Sequence, residues 1–445
     1  MTLADTIFAL ATAPGRAGVA IFRISGPSAG EALTAVSERS ALPPPRRTIR
    51  CRMVDPATGI ALDDGLSVWF PGPASFTGED VAELHVHGGR ATADAIATAL
   101  SALPGLRPAE PGEFSKRAFL AGKIDLTEAE AIADLIDADT DAQRRQALAQ
   151  LGGGLSQRLE AWRAKLIDIL AHTEAWIDFP DEDLPADVET AARAGIYELE
   201  SDISAFLDDN RRGERLRDGL QVAILGAPNA GKSSLLNALA ARDAAIVSDI
   251  AGTTRDVIEV HLDLGGWPVT LADTAGLRDA GDLVEREGVK RALGRAVDAD
   301  LCLVLFDATA LPDQASRKLL DRSNAVAVVT KTDLKGGLDP NDLGFDALLV
   351  SAKTGDGLPK LLSYVEEVAV DLMDSSGMSS PLTRVRHRTA LAECLDALAR
   401  ASAVGQPELA AEDLRLAARA IGRVTGHVDI DDLLDVIFSD FCIGK

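Results

Sequence analysis

Apolar residues follow two different spacings along the chain, and the change of spacing marks out its segments. Short runs near the N terminus alternate apolar and polar residues, which is typical of half-buried strands. They predict β-strands over residues 5–12, 19–25, 66–70 and 81–87, with a helix over 91–103 after the last of them. Strands with one intervening helix predict a compact α/β domain over residues 1–120.

Two alanine-rich blocks carry apolar residues three and four positions apart, the spacing of amphipathic helices. The predicted helices cover residues 126–151, 155–177 and 189–207 in the first block and 390–402, 409–424 and 430–438 in the second. The blocks flank a segment, 218–375, in which short apolar runs are followed by glycine and polar residues. We predict that 121–217 and 376–445 form one helical domain with 218–375 inserted, because a domain with closely spaced ends is readily inserted.

The inserted segment opens with a predicted strand, a glycine-rich loop and a helix. The run VAIL (222–225) precedes GAPNAGKS (226–233), which fits the phosphate-loop pattern G-x-x-x-x-G-K-[ST], and SSLLNALAA (233–241) continues as a helix. Amide groups at a helix N terminus point at a bound anion. Lys232 supplies a charge to the β- and γ-phosphates, and Ser233 supplies a hydroxyl to Mg²⁺. An ordinary glycine-rich turn is the alternative for this loop taken alone.

Two further motifs have the character of GTPase switches. GTTRD (252–256) offers a threonine to Mg²⁺ and the γ-phosphate. DTAG (273–276) offers the Asp273 carboxylate to the outer shell of the metal and the Gly276 N–H to the γ-phosphate. GTPases that position water themselves usually carry glutamine at the next position, where this chain has Leu277. Leucine cannot orient water, so another group must do so or hydrolysis is very slow.

Base recognition is predicted from two motifs at strand ends. TKTD (330–333) follows the run AVAVV, and Asp333 can accept two hydrogen bonds from guanine that adenine cannot give. SAK (351–353) closes the base pocket. Each motif alone can be an ordinary turn, but five motifs in order predict GTP binding. The base motif usually begins with asparagine; the hydroxyl of Thr330 makes fewer bonds to the phosphate loop than an amide, which predicts a lower nucleotide affinity.

Composition limits the function classes. The chain has 445 residues, enough for two or three domains, and its formal charge of −24 opposes indiscriminate nucleic-acid binding. It contains no run of 18 apolar residues and no secretion signal, so we expect a cytoplasmic protein with no membrane partner. The four cysteines lack metal-ligand spacing, and Cys302 and Cys394 are expected to be buried thiols. RNA contacts would need basic patches, with solvated surface as the alternative; the candidates are Arg46, Arg47, Arg50, Arg52 and the runs 211–217 and 384–388.

Long motifs outside the nucleotide site carry a resemblance to a known family. They are PGRAGVAIFRISG (14–26), FPGPASFTGEDVAELHVHGG (70–89), PGEFSKRAFLAGKIDL (111–126), EAEAIADLIDA (128–138) and the terminal FCIGK (441–445). Together with GAPNAGKSSLLNAL and DIAGTTRD they extend along the whole chain. In these motifs the chain resembles the MnmE (TrmE) family of tRNA-modifying GTPases.

The resemblance implies a multidomain fold of α/β and all-α parts. These are an N-terminal α/β domain that binds folate and dimerises, a helical domain, and an inserted Ras-like P-loop GTPase domain. It also implies a homodimer that joins an FAD-containing partner, MnmG (GidA), in a heterotetramer or larger complex, with FAD on the partner only. Using 5-formyl or 5,10-methylene tetrahydrofolate, such a complex adds a carboxymethylaminomethyl or aminomethyl group to C5 of the wobble uridine, position 34, of certain tRNAs.

The resemblance further implies a folate site made of Arg23, Glu83, Lys123 and Lys445. Cations suit the carboxylates of folate, and a carboxylate suits the N–H groups of the pterin ring. A surface charge is the alternative for each of these residues alone. Cys442 in the terminal motif is a candidate catalytic or redox thiol, with a buried tail cysteine as the alternative.

In the nucleotide site the resemblance implies that K⁺ takes the place of an arginine finger. The implied K⁺ ligands are Asn229, Ser248, Ile250 and Thr253. Ser233 and Thr254 hold Mg²⁺, Lys232 is catalytic, and Glu285 positions the attacking water. The complete predicted nucleotide site is Asn229, Ala230, Gly231, Lys232, Ser233, Ser234, Ser248, Asp249, Ile250, Ala251, Gly252, Thr253, Thr254, Asp273, Thr274, Ala275, Gly276, Thr330, Lys331, Asp333, Ser351, Ala352 and Lys353.

Two other function classes stay open from the sequence. The GTPase motifs alone would also fit a GTP-dependent assembly factor or ribosome-associated switch. A folate-dependent one-carbon transferase with a regulatory GTPase domain would fit the folate motifs. The N-terminal and C-terminal motifs together favour tRNA modification.

Overall fold

A computed structural model of the chain describes residues 5–178, 187–242, 244–246, 259–273, 299–334, 344–374, 382–428, 434, 437–438 and 441–444. The chain divides into two compact units. The first comprises Met1–Ala133, Ser156–Ile167 and Leu414–Lys445, and the second comprises Asp134–Leu155 and Asp168–Asp413. The three domains inferred from the sequence divide the chain differently, and that division stays a prediction.

The helices are numbered in chain order over the described residues. They are α1 (Ala29–Val36), α2 (Arg90–Ser101), α3 (Glu113–Leu120), α4 (Leu126–Ile136), α5 (Asp141–Leu151), α6 (Gly154–Asp178), α7 (Asp187–Leu207), α8 (Arg212–Asp218), α9 (Lys232–Ala240), α10 (Gln314–Leu319), α11 (Leu358–Met373), α12 (Val385–Ala403) and α13 (Pro407–Thr425). In this described part of the chain, no helix combines the length and the apolar character that crossing a membrane requires.

A six-stranded sheet forms the centre of the first unit. Its strands are β1 (Thr6–Leu10), β2 (Ala17–Ser25), β3 (Ile49–Val54), β4 (Ala61–Phe70), β5 (Val81–Gly88) and β6 (Leu106–Pro108). They lie in the order β3-β4-β5-β2-β1-β6, and all neighbours are antiparallel except β1 and β6.

Side-chain alternation decides which face of this sheet joins the core. Phe22, Ile24 and Leu84 are buried and pack in one cluster with apolar residues of α1 and α2. The residues between them point to the opposite face, where Arg23 and Glu83 stand directly opposite each other in the β2–β5 register. The sequence pattern therefore places two charged residues side by side on the less covered face.

The second unit contains a seven-stranded sheet. Its strands are β7 (Leu220–Gly226), β8 (Ala245–Ile246), β9 (Glu259–Leu264), β10 (Trp267–Asp273), β11 (Leu301–Asp307), β12 (Ala325–Thr330) and β13 (Ala347–Leu349). The order is β13-β12-β11-β7-β10-β9-β8, with the first five parallel and the last two joined antiparallel. Parallel strands are covered on both faces, which explains continuous apolar runs such as LCLVLF in β11.

One predicted helix is wrong as a single element. The stretch 126–151 forms two helices, α4 and α5, because Thr140 caps the second one. The Thr140 hydroxyl accepts the backbone N–H of Gln143, and the Gln143 side chain accepts the backbone N–H of Thr140. Most of the predicted helix 430–438 lies outside the described residues. The pattern also missed the helices α1, α3, α8, α10 and α11 and the strands β3, β6, β8, β9 and β11.

Candidate functional site

The phosphate loop joins the carboxyl end of β7 to the start of α9, as the motif requires. Gly226 has a φ of +142°, and a Cβ at this position would lie 2.6 Å from the carbonyl oxygen of Leu305 on β11. Asn229 and Gly231 also have positive φ values, +64° and +90°. These conformations curl the loop tightly and explain why glycines stand at both of its ends.

The lysine of this loop lies against the loop's own backbone. Nζ of Lys232 donates to the carbonyl oxygens of Gly226 and Ala227, each at 2.9 Å. The N-cap of α9 is Gly231, which has no side chain to occupy the first amide groups of the helix. The exposed Ser233 and the ammonium of Lys232 therefore stand at a helix N terminus suited to an anion such as phosphate.

The base motif is tied directly to the phosphate loop. Oγ1 of the buried Thr330 donates to the carbonyl oxygen of Ala230 at 2.7 Å and lies 3.2 Å from that of Phe306. Ser351 donates its hydroxyl to Oδ1 of Asp333 at 2.7 Å. The hydroxyl that replaces the usual amide thus still braces the loop. Its effect on nucleotide affinity stays a prediction.

The predicted strand-end residues meet at one edge of the sheet. Gly226 ends β7, Asp273 ends β10, and Thr330 ends β12. In the register, Asp273 pairs with Ile224, and Leu305 of β11 pairs with Gly226. Ligands of open parallel sheets bind at the carboxyl ends of the strands, so this edge is the candidate nucleotide site.

Much of the predicted switch region lies outside the described residues. The residues concerned are Ser248, Asp249, Ile250, Ala251, Gly252, Thr253, Thr254, Thr274, Ala275, Gly276, Leu277 and Glu285. Lys445 of the predicted folate site also lies outside them. The roles assigned to these residues stay predictions.

The donor atoms of the loop fit a cation that shares phosphate oxygens. Ser233 and Asn229 are exposed and offer a hydroxyl and an amide oxygen, which are hard ligands suited to Mg²⁺ and K⁺. Among the described residues, no group of three or more His, Cys, Asp or Glu side chains could hold a metal ion. A cation bound here would therefore take further ligands from the nucleotide.

A charged cluster lies on the sheet of the first unit. Oε1 of Glu83 accepts from Nε and Nη2 of Arg23 at 3.1 and 3.0 Å, and Oε2 lies 3.2 Å from Nε2 of His85. The centroids of the Phe76 and Phe114 rings lie 6.0 and 5.9 Å from Cζ of Arg23. Two of the predicted folate residues are thus brought together beside two aromatic rings.

The loop that carries Phe76 also contacts a third predicted folate residue. A Cβ added at Gly78 would lie 3.3 Å from Cε of Lys123. Hydrogen bonds to Glu79 fix the loop between β4 and β5. Its carboxylate accepts from the hydroxyl of Ser25 at 2.7 Å and from Arg117. Arg23 and Lys123 therefore border the same ordered loop.

The terminal motif packs within the first unit, beside β1. The N–H of Gly112 donates to the carbonyl oxygen of Cys442, and Pro111 forms an isolated bridge with Ile443. A Cβ on Gly444 would lie 2.5 Å from the carbonyl oxygen of Leu10. The motif is thus held close to the strand next to the one carrying Arg23.

The cysteines separate into two kinds. Cys302 and Cys394 are buried, as expected, and burial raises the pKa of both thiols, that of Cys394 to about 12. Cys442 is exposed, so the alternative of a buried tail cysteine is wrong. An accessible thiol is a requirement for redox or nucleophilic chemistry, and the role of Cys442 stays a prediction.

Comparison with known proteins identifies the family of the chain. A family model described as the MnmE helical domain matches residues 126–442, and one described as the GTP-binding protein TrmE N-terminus matches residues 6–123. The chain belongs to the MnmE family. The predicted fold class, with α/β and helical parts and a GTPase module, is that of this family and is confirmed.

Curated MnmE relatives align along nearly the whole chain. The tRNA modification GTPase MnmE of Paramagnetospirillum magneticum is 56% identical and covers 100% of both chains. The protein of the same name from Rhodospirillum rubrum is 57% identical and covers 99% of both. The solved G domain of the T. maritima FeoB iron transporter is 25% identical and covers 35% of this chain and 99% of its own, with a TM-score of 0.26.

Two of the candidate RNA patches are occupied by ion pairs within this MnmE-family chain. In the run 211–217, Arg215 pairs with Asp300 at 2.7 Å. In the run 384–388, Arg388 reaches both Asp209 and Glu214, at 2.5 and 2.8 Å. These arginines serve the fold, and they are neither freely solvated nor free for phosphates.

One charged residue beside the base motif is absent from the predictions made from the sequence. Asp307, which ends β11, lies 2.5 Å from Nζ of Lys331. Burial alone would raise the pKa of this carboxyl, but hydrogen bonds from Lys331 and Thr309 hold the pKa below its usual value. The available signal was an aspartate directly after the apolar run LCLVLF, in the same strand-end position as the recognised motifs.

Proposed function

We propose that this protein is a GTP-hydrolysing enzyme that modifies the wobble uridine of certain tRNAs. Relatives at 50–57% identity carry the name tRNA modification GTPase MnmE. The observation that carries the GTPase part is the joined geometry of the site, in which Thr330 of the base motif donates to Ala230 of the phosphate loop. Base and phosphate recognition are thereby built as one unit.

The described side chains have separate roles in binding the nucleotide. The amide groups at the start of α9 hold phosphate, and Lys232 neutralises the charge that develops between the β- and γ-phosphates. Asp333 accepts from the guanine edge, and the hydroxyl of Ser351 fixes the orientation of that carboxylate. Adenine lacks matching donors, which supports selection of GTP over ATP.

We infer that Mg²⁺ and K⁺ act in this site. When bound, the cations stabilise negative charge on the transferred phosphoryl group. Ser233 and Thr254 would hold Mg²⁺. The residues that would hold K⁺ are Asn229, Ser248, Ile250 and Thr253. Since Leu277 cannot orient water, Glu285 is the proposed positioning group. The family resemblance and the exposed oxygen donors of Ser233 and Asn229 support this assignment.

We also infer a site for a one-carbon tetrahydrofolate derivative, 5-formyl or 5,10-methylene, in the first unit. Arg23 and Lys123 are cations that suit the glutamate carboxylates of folate, and Glu83 suits the pterin N–H groups. The proximity of Arg23, Glu83 and Phe76, and the contact of Lys123 with the same loop, support this site. Lys445 would complete it, because the terminal motif is held beside β1.

The protein would act as a homodimer with the FAD-containing partner MnmG in a heterotetramer or larger complex, and FAD would be bound by the partner only. The product would be a carboxymethylaminomethyl or aminomethyl group at C5 of uridine 34. A tRNA substrate supports a cytoplasmic location. Cys442 is the proposed thiol, which its exposure permits.

Mass spectrometry of tRNA nucleosides tests the proposed function. A deletion strain should lack the modified wobble uridine, and the full-length gene should restore it. A Lys232→Ala variant should fail to restore it and should lose GTP hydrolysis, because the charge on the phosphates is lost. Lys360→Ala is the matched control, since Lys360 is an exposed lysine on α11 of the same unit. An unchanged nucleoside profile in the deletion strain would contradict the proposal.

A further inference from the structure

The base motif contains a lysine whose side chain is fixed by a residue outside the five GTPase motifs. Lys331 has a φ of +59°, a conformation that is uncommon for a residue of this kind. Its Nζ lies 2.5 Å from Oδ2 of Asp307. The Lys331 side chain is 35% exposed and that of Asp307 is 18% exposed, so the pair is partly shielded from water.

Asp307 is itself held by bonds that do not involve the lysine. Its Oδ1 accepts the backbone N–H of Thr309 at 2.9 Å and the hydroxyl of Thr309 at 2.7 Å. Its backbone ends β11 directly opposite Thr330 in the parallel register. One carboxylate oxygen is thus used to fix the side chain, and the other is presented to Lys331 as an anchor.

The other members of the base motif have their own anchors. Thr330 is bonded to Ala230, and Asp333 is bonded to Ser351. Lys331 has a flexible four-carbon stem that can lie along a flat apolar surface while its ammonium stays hydrated or paired. An anchor on the ammonium therefore determines the course of the whole stem.

We propose that Asp307 is a positioning residue of the nucleotide site, which holds Lys331 so that its stem forms a floor for the purine base. This assignment rests on the proposed GTP site. In the described hydrogen bonds, the Asp307 carboxylate contacts neither the phosphate loop nor Asp333. Without the anchor, the stem must be ordered when the nucleotide binds, and that ordering weakens affinity.

Release of N-methylanthraniloyl-GDP from the full-length protein, followed by stopped-flow fluorescence, tests this role. Asp307→Asn keeps an oxygen that can accept from Thr309 but loses the charge that holds Lys331. We expect release to become about tenfold faster, which corresponds to about 1.4 kcal/mol. Release at the parent rate would overturn the assignment.

Asp300→Asn is the matched control. Asp300 stands just before the other end of β11, is 13% exposed and pairs with Arg215 at 2.7 Å, so its loss disturbs the same strand without touching the base motif. We expect parent-like release from this variant, and equally fast release from both variants would show a merely structural effect and overturn the assignment.

A double-mutant cycle with Lys331→Met identifies the route of the effect. If Asp307 acts through Lys331, adding Asp307→Asn to Lys331→Met should change release no further. A full additional effect in that background would overturn the assignment. Failure of the parent protein to bind the labelled GDP would instead overturn the proposed nucleotide site, and the two failures are therefore distinguishable.

Discussion

Replacing Thr330 by valine tests whether a single hydroxyl joins the base motif to the phosphate loop. Valine keeps the shape of the side chain, so packing is preserved while the donor is lost. Thr330 is 3% exposed, and its Oγ1 lies 2.7 Å from the carbonyl oxygen of Ala230 and 3.2 Å from that of Phe306. Leaving a buried acceptor without its donor costs about 1–3 kcal/mol.

Most of this cost should appear as a lower free energy of unfolding of the nucleotide-free protein, because the bond is already present without nucleotide. A loss of about 1.5 kcal/mol lowers the melting temperature of a unit of this size by about 3–6 °C. The loosened loop must then be ordered on binding, so we expect the dissociation constant for GDP to rise about threefold.

Calorimetric melting with and without GDP, together with a GDP titration, measures both effects. Thr330→Ser is the control, because serine keeps the hydroxyl and should retain GDP affinity even where the lost methyl group lowers stability. A valine variant that melts and binds GDP as the parent does would refute the reasoning.

Four further predictions follow from the described contacts and the assigned motifs. Asp333→Asn should shift preference from guanine toward xanthine nucleotides, measured by competition binding, because an acceptor becomes a donor. Arg23→Ala should weaken binding of 5-formyl-tetrahydrofolate about tenfold by calorimetry while GTP hydrolysis is kept. Hydrolysis should be faster in KCl than in NaCl at matched ionic strength, and Asn229→Ala should remove the difference. Burial raises the pKa of Glu214, but hydrogen bonds from two arginines lower it overall. The stability that these bonds to the ionised Glu214 contribute is present above the usual pKa of 4.5 and is lost as the pH falls below 4.5. Glu214→Gln should therefore flatten the acid limb of a profile of melting temperature against pH.

The GTPase sheet could be predicted because its strands are covered on both faces. Such strands have unbroken apolar runs, and β7 and β12 were found where those runs predicted them. The break between α4 and α5 was missed because it depends on one capping interaction, that of Thr140 with Gln143, within a helical pattern. Strand β3 was missed because the outward-facing Arg50 and Arg52 in IRCRMV were interpreted as a basic patch.

The nucleotide site could be predicted in part for a related reason. Residues at the carboxyl ends of parallel strands become neighbours, so motifs far apart in the sequence predicted a common edge. Anchors such as Asp307 are chemically ordinary turn residues, and only the register of β11 with β12 shows that Asp307 lies opposite Thr330. The charged cluster in the first unit shows the same dependence, since Arg23 and Glu83 meet only through the pairing of β2 with β5.

The arginine runs form ion pairs with residues far away in the sequence, which a linear pattern cannot predict. Arg217 and Arg384 stand on either side of the segment predicted to be inserted, and both donate to the same oxygen, Oδ1 of Asp134, at 3.0 and 2.7 Å. The side chain of Asp134 is 13% exposed, so its charge is well shielded from water. Removing it would leave two guanidinium groups side by side without their shared counter-charge, a larger loss than that of a surface ion pair. One carboxylate thus holds the two flanks of the segment together, which supplies the closely spaced ends that an insertion requires.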